Sequence, residues 1–368
     1  MKNIGTCEFC GKTNKTISEV LSICRDCILT KNWELVKPLI FNVHKHVRCL
    51  VDLPSKPPKA NKENIKLKCD LCINRCTLSE NDLSYCGLRS FEKSQSGELS
   101  LPSKRKGYIH GYLDPIPTNC CNAWFCGGDY NTYSYAAFLY GCSFNCLFCQ
   151  NSSHKHFSKR NLVDIESLAD RIYNNKKITC ICYFGGTPEV QLPFTINLSN
   201  QILEKIKKGE QSRNFRVCWE WNGSGNKSLV EECMKIAINS GGNIKFDLKA
   251  FDEKLNLALC GVSNCRTLEN FKYLAENYFG TREENMHELS ACTLLVPGYV
   301  NYEEVEQIAT FISEINKDIP YSLLVFHPDY QMNDLPITSR KQATKCLETA
   351  KKYLNQVNLG NKFLLGFS

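Results

Sequence analysis

Tyr140-Gly-Cys142-Ser-Phe-Asn-Cys146-Leu-Phe-Cys149-Gln-Asn151 decides how the rest of this chain is read. Its three cysteines stand at CxxxCxxC spacing after the apolar run Tyr135 to Tyr140, so a strand delivers them into a short loop where three thiolates can converge on one metal cluster. A [4Fe–4S] cube normally takes four cysteine ligands. Three leave one iron open to a ligand that the protein does not supply, as catalytic metal sites keep an open position generally. The competing reading is a zinc loop with its fourth ligand elsewhere, or cysteines packed as small hydrophobes. The strand-to-loop setting favours the cluster.

With the aromatic Phe148 before the last cysteine, the stretch resembles the CxxxCxΦC signature of radical S-adenosylmethionine (SAM) enzymes. The resemblance implies that the amino and carboxylate groups of SAM chelate the open iron, and that an electron passed through the cluster cleaves SAM to a 5′-deoxyadenosyl radical. The protein's task is then to orient SAM against a target hydrogen and exclude water.

Working outward, the 368 residues suffice for a full α/β domain with smaller appendages. A hydrophobic share of 43% is ordinary for a globular protein and says nothing of substrate. The 23 cysteines are informative because they fall in CxxC-type groups with no signal peptide ahead of them, which reads as metal binding in a reducing compartment. No apolar run reaches the roughly 20 residues of a spanning helix, and a cytosolic protein is expected. The net charge of +7 is spread thinly; the basic stretches Lys56 to Lys68 and Ser103-Lys-Arg-Lys106 read first as solvated surface and only second as a nucleic-acid patch.

Four segments follow from composition: a zinc-ribbon-like module with a helix (1–53), a linker (54–66), a Cys-rich metal-binding region (67–130) and an α/β domain (131–368). In the first, Cys7-Glu-Phe-Cys10 and Cys24-Arg-Asp-Cys27 are two knuckles 13 residues apart, a spacing that closes a tetrahedral thiolate shell around zinc or, alternatively, a rubredoxin-like iron. Apolar residues at helical intervals from Lys31 to Val51 predict an amphipathic helix, on which His44, His46 and Cys49 are read as ordinary helix residues. The Pro54-Ser-Lys-Pro-Pro tract ends it. In the third segment Cys69, Cys72, Cys76 and Cys86 form a second set of four, suited to zinc or to an auxiliary iron–sulfur cluster. Cys120, Cys121 and Cys126 follow in a loop-like setting, readable as further ligands or as packing.

From residue 133 onward, β-rich runs alternate with helical patterns, the signature of βα units on a parallel sheet. Strands are expected at 134–140, 178–184, 214–220, 243–248, 289–295 and 321–327, with helices near 164–174, 192–208, 227–239, 266–278, 302–315 and 338–355. Six units fit the partial (β/α)6 TIM-like barrel that the resemblance implies, with functional residues at the C-terminal strand ends.

Those ends carry distinctive motifs. Gly185-Gly186-Thr187-Pro-Glu189 allows backbone to approach a ligand closely, and it resembles the GGE-like segment that contacts the SAM amino group, with Thr187 where an acidic residue is usual. Trp219-Glu220-Trp221-Asn222-Gly223 resembles an acidic-x-Asn-Gly segment, which implies Asn222 near the SAM ribose and Glu220 beside a monovalent cation; Trp219 and Trp221 are read chiefly as packing. Lys245-Phe-Asp247-Leu-Lys249 and Leu259-Cys-Gly261-Val-Ser-Asn264-Cys-Arg-Thr-Leu-Glu269 resemble the DLK and GVSN-x-RTLE segments of pyruvate formate-lyase activating enzyme. Alternation along a strand puts Asp247 and Lys249 on one face. His327 resembles a histidine near the SAM nucleoside. The resemblance spans 133 to roughly 330 and implies an activating-enzyme-like oxidoreductase that abstracts hydrogen from a protein substrate, served by a low-potential donor such as flavodoxin or ferredoxin. An RNA-modifying radical SAM enzyme and a non-catalytic metal-binding interaction protein are the alternatives.

Overall fold

In the computed structural model, residues 4–91, 103–117, 120, 122–209, 213–282 and 287–366 are described. Two short hairpins and two helices come first: β1 (Gly5–Thr6) with β2 (Thr13–Asn14), α1 (Arg25–Thr30), α2 (Trp33–Cys49), and β3 (Leu67–Lys68) with β4 (Thr77–Leu78). The helix expected between Lys31 and Val51 is α2, started by Asn32, whose side chain accepts the Glu34 N–H.

The sheet begins earlier in the chain than the expected boundary at 131, at β5 (Lys106–Pro115), which lies inside the Cys-rich segment 67–130. It continues through β6 (Tyr133–Leu139), β7 (Leu162–Asp164), α3 (Ile165–Asn174), β8 (Ile178–Gly185), α4 (Leu192–Lys208), β9 (Arg216–Trp221) and α5 (Lys227–Ser240). Next come β10 (Ile244–Asp247), α6 (Glu253–Cys260), α7 (Cys265–Tyr278), β11 (Leu289–Leu295), α8 (Tyr302–Ile315), β12 (Tyr321–Val325), α9 (Arg340–Ala350) and β13 (Val357–Gly360). The nine strands run in the order β7-β5-β6-β8-β9-β10-β11-β12-β13. Strands β6 and β8 to β13 are mutually parallel, and β5 is antiparallel to both its neighbours. All six expected strands are present. Helix α9 ends before 355 because the chain turns back there to add β13 beside β12.

Alternation sorts the residues of each strand between two environments. Toward the helices, Tyr183, Trp219, Trp221, Phe246 and Phe271 form a chain of ring contacts with centroids 5.4 to 6.4 Å apart, and Trp219 is completely buried. The packing reading of Trp219 holds. Register sets Cys182 opposite Cys218, Glu220 opposite Lys245, and Asp247 opposite Cys292. The inner face is thus polar and thiol-rich, unlike the packed aliphatic layers that fill a closed barrel.

A second core joins the N-terminal module to the cysteine loop: Ile17, Leu21, Ile23, Val36 and Val47 pack in one cluster with Phe144, Leu147 and Phe148. The junction also carries specific hydrogen bonds. The buried Tyr299 hydroxyl accepts the Ser18 N–H at 3.0 Å and donates to the Ile23 carbonyl at 3.0 Å. Buried Arg48 lies 3.5 Å from the Tyr85 ring centroid and donates to the Tyr85 carbonyl, tying α2 to the second cysteine segment.

Tyr299→Phe strands both backbone partners in a buried junction, which costs about 1–3 kcal/mol. The expected outcome is a lower midpoint in denaturant unfolding with the sheet's circular dichroism intact. An unchanged midpoint would mean that this hydroxyl does not hold the module in place.

Candidate active site

The three thiols of Cys142, Cys146 and Cys149 open into a cavity of about 180 Å³ beyond the C-terminal ends of β6, β8, β9 and β10. A loop has no ladder of its own to hold three side chains in convergence, so neighbouring segments do it. Asn145 N–H donates to the Cys260 carbonyl at 2.8 Å and Leu147 N–H to the Leu259 carbonyl at 2.9 Å, hanging the loop on the end of α6. Asn74, from the second cysteine segment, donates to the Ser143 carbonyl at 2.7 Å. Asn222 donates to the Ser143 hydroxyl at 2.8 Å.

The Asn145 side chain is the centre of a buried relay. Its amide donates to His44 Nδ1 at 2.9 Å and accepts from Lys155 Nζ at 2.8 Å, while His44 Nε2 donates to the Ala258 carbonyl at 3.0 Å. That tautomer requires a neutral imidazole. Burial, with no acid beside the ring, lowers His44 from 6.5 to about 4 and His154 from 6.5 to about 3. His44 is an ordinary helix residue in not being a ligand, as expected, but the loop depends on it.

The other walls bring together most of the residues singled out above. Phe148, Gly185, Gly186, Glu220, Asn222, Asp247 and Lys249 all line the cavity. Gly185 has φ +109, and a Cβ on Gly186 would overlap the Gly141 carbonyl oxygen, so the two glycines are demanded by the backbone. Lys249 Nζ lies 2.9 Å from Asp247 Oδ2, and Lys245 Nζ lies 2.9 Å from Glu220 Oε2 and 3.7 Å from Asp247 Oδ1. Burial alone would raise the Asp247 carboxyl, but Lys249 and Lys245 outweigh it and hold it well below the usual carboxylate range. Cys292 donates its thiol to Asp247 Oδ1 at 2.6 Å.

Two expected contacts lie elsewhere. The Thr187 hydroxyl donates to Glu189, and neither residue lines the cavity. Burial pushes the Glu189 carboxyl up to about 7, and its other oxygen accepts the Ser224 N–H at 3.0 Å. This pair braces the Gly-Gly turn against the segment after β9. His327 is half-exposed, directed at the Pro328 carbonyl 3.4 Å away, and is absent from the cavity wall. In contrast, Lys245, Gln150 and His154 line the cavity without having been foreseen. Lys245 was legible, since it precedes Asp247 by two residues and shares its face; Gln150 and His154 carried no signal.

The residues present fit a ligand-bearing cluster. Three thiols open into the cavity; of the two others nearby, Cys292 is bonded to Asp247, and the buried Cys260 lies behind the loop, 3.5 Å from Cys146 Sγ and absent from the cavity's walls. Three buried polar atoms on the same walls, Gln150 Nε2, His154 Nδ1 and Trp221 Nε1, have no hydrogen-bond partner among the described residues, and buried groups of this kind are normally satisfied. A ligand with several polar groups would satisfy them.

Residues 137–312 match the model of the Radical SAM superfamily. That segment is similar to the radical SAM domain. The family implies a [4Fe–4S] cluster and SAM, and the open-iron geometry read from the three cysteines accords with both. A Methanocaldococcus jannaschii protein provisionally named a glycyl-radical enzyme activating enzyme is 26% identical over 226 residues, 61% of this chain and 79% of the relative. A second protein of that organism with the same provisional name is 23% identical over 228 residues, 60% of this chain and 85% of the relative. Among solved structures, a domain of pyruvate-formate lyase-activating enzyme from Bacteroides vulgatus superposes with a TM-score of 0.39 and 18% identity, covering 49% of this chain and 98% of that domain. Streptococcus suis SuiB bound to SAM superposes with a TM-score of 0.44 and 17% identity, over 60% of this chain and 47% of SuiB.

Outside residues 137–312 the other cysteine sets differ in spread. The thiols of Cys7, Cys10, Cys24 and Cys27 lie within 4.8 Å of one another, close to the roughly 3.8 Å edge of four thiolates about one zinc. No other group of metal-ligating side chains gathers so tightly among the described residues. Cys69, Cys72, Cys76 and Cys86 are neighbours: burial raises the thiols of Cys69, Cys72 and Cys76, and the nearby Cys86 adds to each. They are nevertheless spread more widely than a single ion requires. No helix is long and apolar enough to cross a membrane among the described residues.

His44 gives a pH prediction. Its folded pKa lies below its unfolded value, so the unfolded chain binds more protons between about 6.5 and 4, and stability falls as pH drops through that window. His44→Ala orphans Asn145 and flattens this part of the profile. It also lowers iron retained per chain although every cysteine is intact; full iron retention would show that the relay does not hold the loop. Gly186→Ala, by displacing the Gly141 carbonyl, should weaken SAM binding at least tenfold in a titration of the intact cluster, and unaltered binding would contradict the tight-turn assignment.

Proposed function

We propose that this protein is a radical SAM enzyme that reductively cleaves SAM and abstracts a hydrogen atom from a protein substrate, in the manner of glycyl-radical activating enzymes. The observation that carries the reading is the cavity itself, which is lined together by three thiols, two glycines and the charged cluster of Lys245, Asp247 and Lys249. Cys142, Cys146 and Cys149 would hold the cluster. When bound, the cluster supplies the electron that breaks the SAM sulfonium bond and so provides the 5′-deoxyadenosyl radical.

The chain's own residues bind and orient. Backbone at Gly185 and Gly186 approaches the methionyl end without side chains in the way. Asn222, fixed through Ser143 to the cysteine loop, would meet the ribose. Glu220 and Asp247 would offer carboxylates to a monovalent cation, and Lys249 would meet the SAM carboxylate. The phenyl ring of Phe148, buried, shields the cysteines from water. A protein target is supported by the names of the two archaeal relatives and by the segments that resemble activating enzymes. The Cys7, Cys10, Cys24 and Cys27 set, compact enough for one ion, is assigned structural zinc, whose binding free energy would help fold a module with little core of its own.

Anaerobic protein with SAM and dithionite, or reduced flavodoxin or ferredoxin, should form 5′-deoxyadenosine, and Cys146→Ala should abolish it. Supplied with proteins from cells grown on Cα-deuterated glycine, the enzyme should place deuterium in the product. Turnover without deuterium would move the target to another hydrogen. Turnover stimulated by RNA alone would favour the RNA-modifying reading, and no 5′-deoxyadenosine at all would leave a metal-binding protein without catalysis.

A further inference from the structure

Below the site just described, toward the N-terminal ends of the strands, lies a separate cavity of about 90 Å³ whose walls carry five thiols: Cys120, Cys126, Cys180, Cys182 and Cys218. None of them belongs to the CxxxCxxC loop or to either N-terminal set, and no described cysteine is in a disulfide. The two cavities share the side chains of Phe184 and Glu220, so the lower one sits directly beneath the floor of the upper.

The thiols come from three elements brought together by the fold. Cys180 and Cys182, two apart on β8, share the inner face, and Cys218 on β9 is directly opposite Cys182. Cys180 Sγ and Cys218 Sγ are 4.0 Å apart. The loop between β5 and β6 supplies Cys120 at the exposed rim and Cys126 further in.

Among its described residues after 117 that loop has no strand or helix, yet it is fastened across the bottom of the sheet. Asn122 donates to Asn243 at 2.8 Å and accepts from Ser290 at 3.1 Å; Trp124 donates to Ser322 at 3.0 Å. Arg216 pairs with Asp129 at 3.2 Å and donates to the Gly127 carbonyl at 2.9 Å. Strands β9, β11 and β12 and the residue just before β10 thus anchor one short loop, and the segment so fixed contains Cys126.

Five thiols line this cavity, where a barrel usually has branched aliphatic residues. Their small size leaves lost contacts that destabilise the fold, whereas soft thiolates select soft metals and iron–sulfur clusters. The thiols are spread too widely for one tetrahedral ion, since only the N-terminal four lie within 4.8 Å among the described residues. A cluster carries its own width. Of the charged residues in the wall, Arg216 is paired with Asp129 at 3.2 Å and Glu220 with Lys245 at 2.9 Å, so it is the thiols that favour a cluster. Cys121 lies outside the described residues.

We propose that this lower cavity is an auxiliary iron–sulfur site, with Cys120, Cys126, Cys180 and Cys218 as ligands. It places a second one-electron centre beneath the cavity in which the radical chemistry is assigned. The site stands on its own donors and does not depend on SAM cleavage.

The test compares iron and acid-labile sulfide in anaerobically reconstituted full-length chain, Cys180→Ala/Cys218→Ala against parent, both in the native background and with Cys142, Cys146 and Cys149 replaced by alanine. The double substitution should remove about two or about four irons with matching sulfide in both backgrounds, leaving zinc unchanged. Equal iron in variant and parent, or loss of zinc alone, overturns the proposal. A variant-free measurement guards against misfolding: in holoprotein, Cys126 should resist iodoacetamide and become alkylated after iron chelation. Equal alkylation before and after chelation overturns it as well. Either result is read independently of 5′-deoxyadenosine formation.

Discussion

Everything in this structure turns on the hydrogen bond between Asn145 and His44, because it holds a loop that cannot hold itself. Three thiolates on one metal cluster repel one another and sit on eight residues of irregular backbone, so their convergence must be imposed from outside. Asn145 is the residue through which that is done. Its amide is gripped from α2 by His44 and from the loop's far side by Lys155, and its backbone N–H is bonded to the end of α6. The N-terminal module is therefore a brace for the cysteine loop. Its own fixation through Tyr299 and Arg48 becomes part of the geometry of the site.

The second cysteine segment works in the same direction. It donates from Asn74 to the cysteine loop, from Ile73 to the Ser224 carbonyl, and from Arg89 to the Val190 carbonyl, linking the loop, the segment after β9 and the turn after Gly186. A collar of this kind makes the convergence of the thiols a property of the folded chain. Thr187 and Glu189 serve the same end, since the buried pair braces the Gly-Gly turn against the segment after β9.

Much of this was legible in the sequence, for reasons that are physical. The parallel strands are buried on both faces and read as apolar runs, so β6, β8, β9, β10, β11 and β12 fell within two or three residues of expectation. Helix α4 matched at both ends. What escaped was structure held by tertiary contact against local preference. Strand β5 contains Gly107 and Gly111, poor strand residues on their own; a side chain at either would collide with Phe194 or Tyr135, so glycine there is the condition for close packing. Strand β13 is only four residues long and is defined by its neighbour β12. In the site, the cysteines, glycines, Asn222, Asp247 and Lys249 were readable from motif and alternation. His44 and Lys155 were not, since a histidine on an amphipathic helix and a lysine after the loop gain their meaning only when the fold brings them to Asn145.

The central claim is that the three cysteines hold a cube with one iron left for SAM. The most direct test is electron–nuclear double resonance on the reduced, anaerobic protein with SAM labelled at the methionyl carboxylate and amino group. The account requires hyperfine coupling from both labels to the cluster, present in the native chain and absent when Cys142, Cys146 and Cys149 are replaced. A reduced cluster whose spectrum is indifferent to labelled SAM would contradict it.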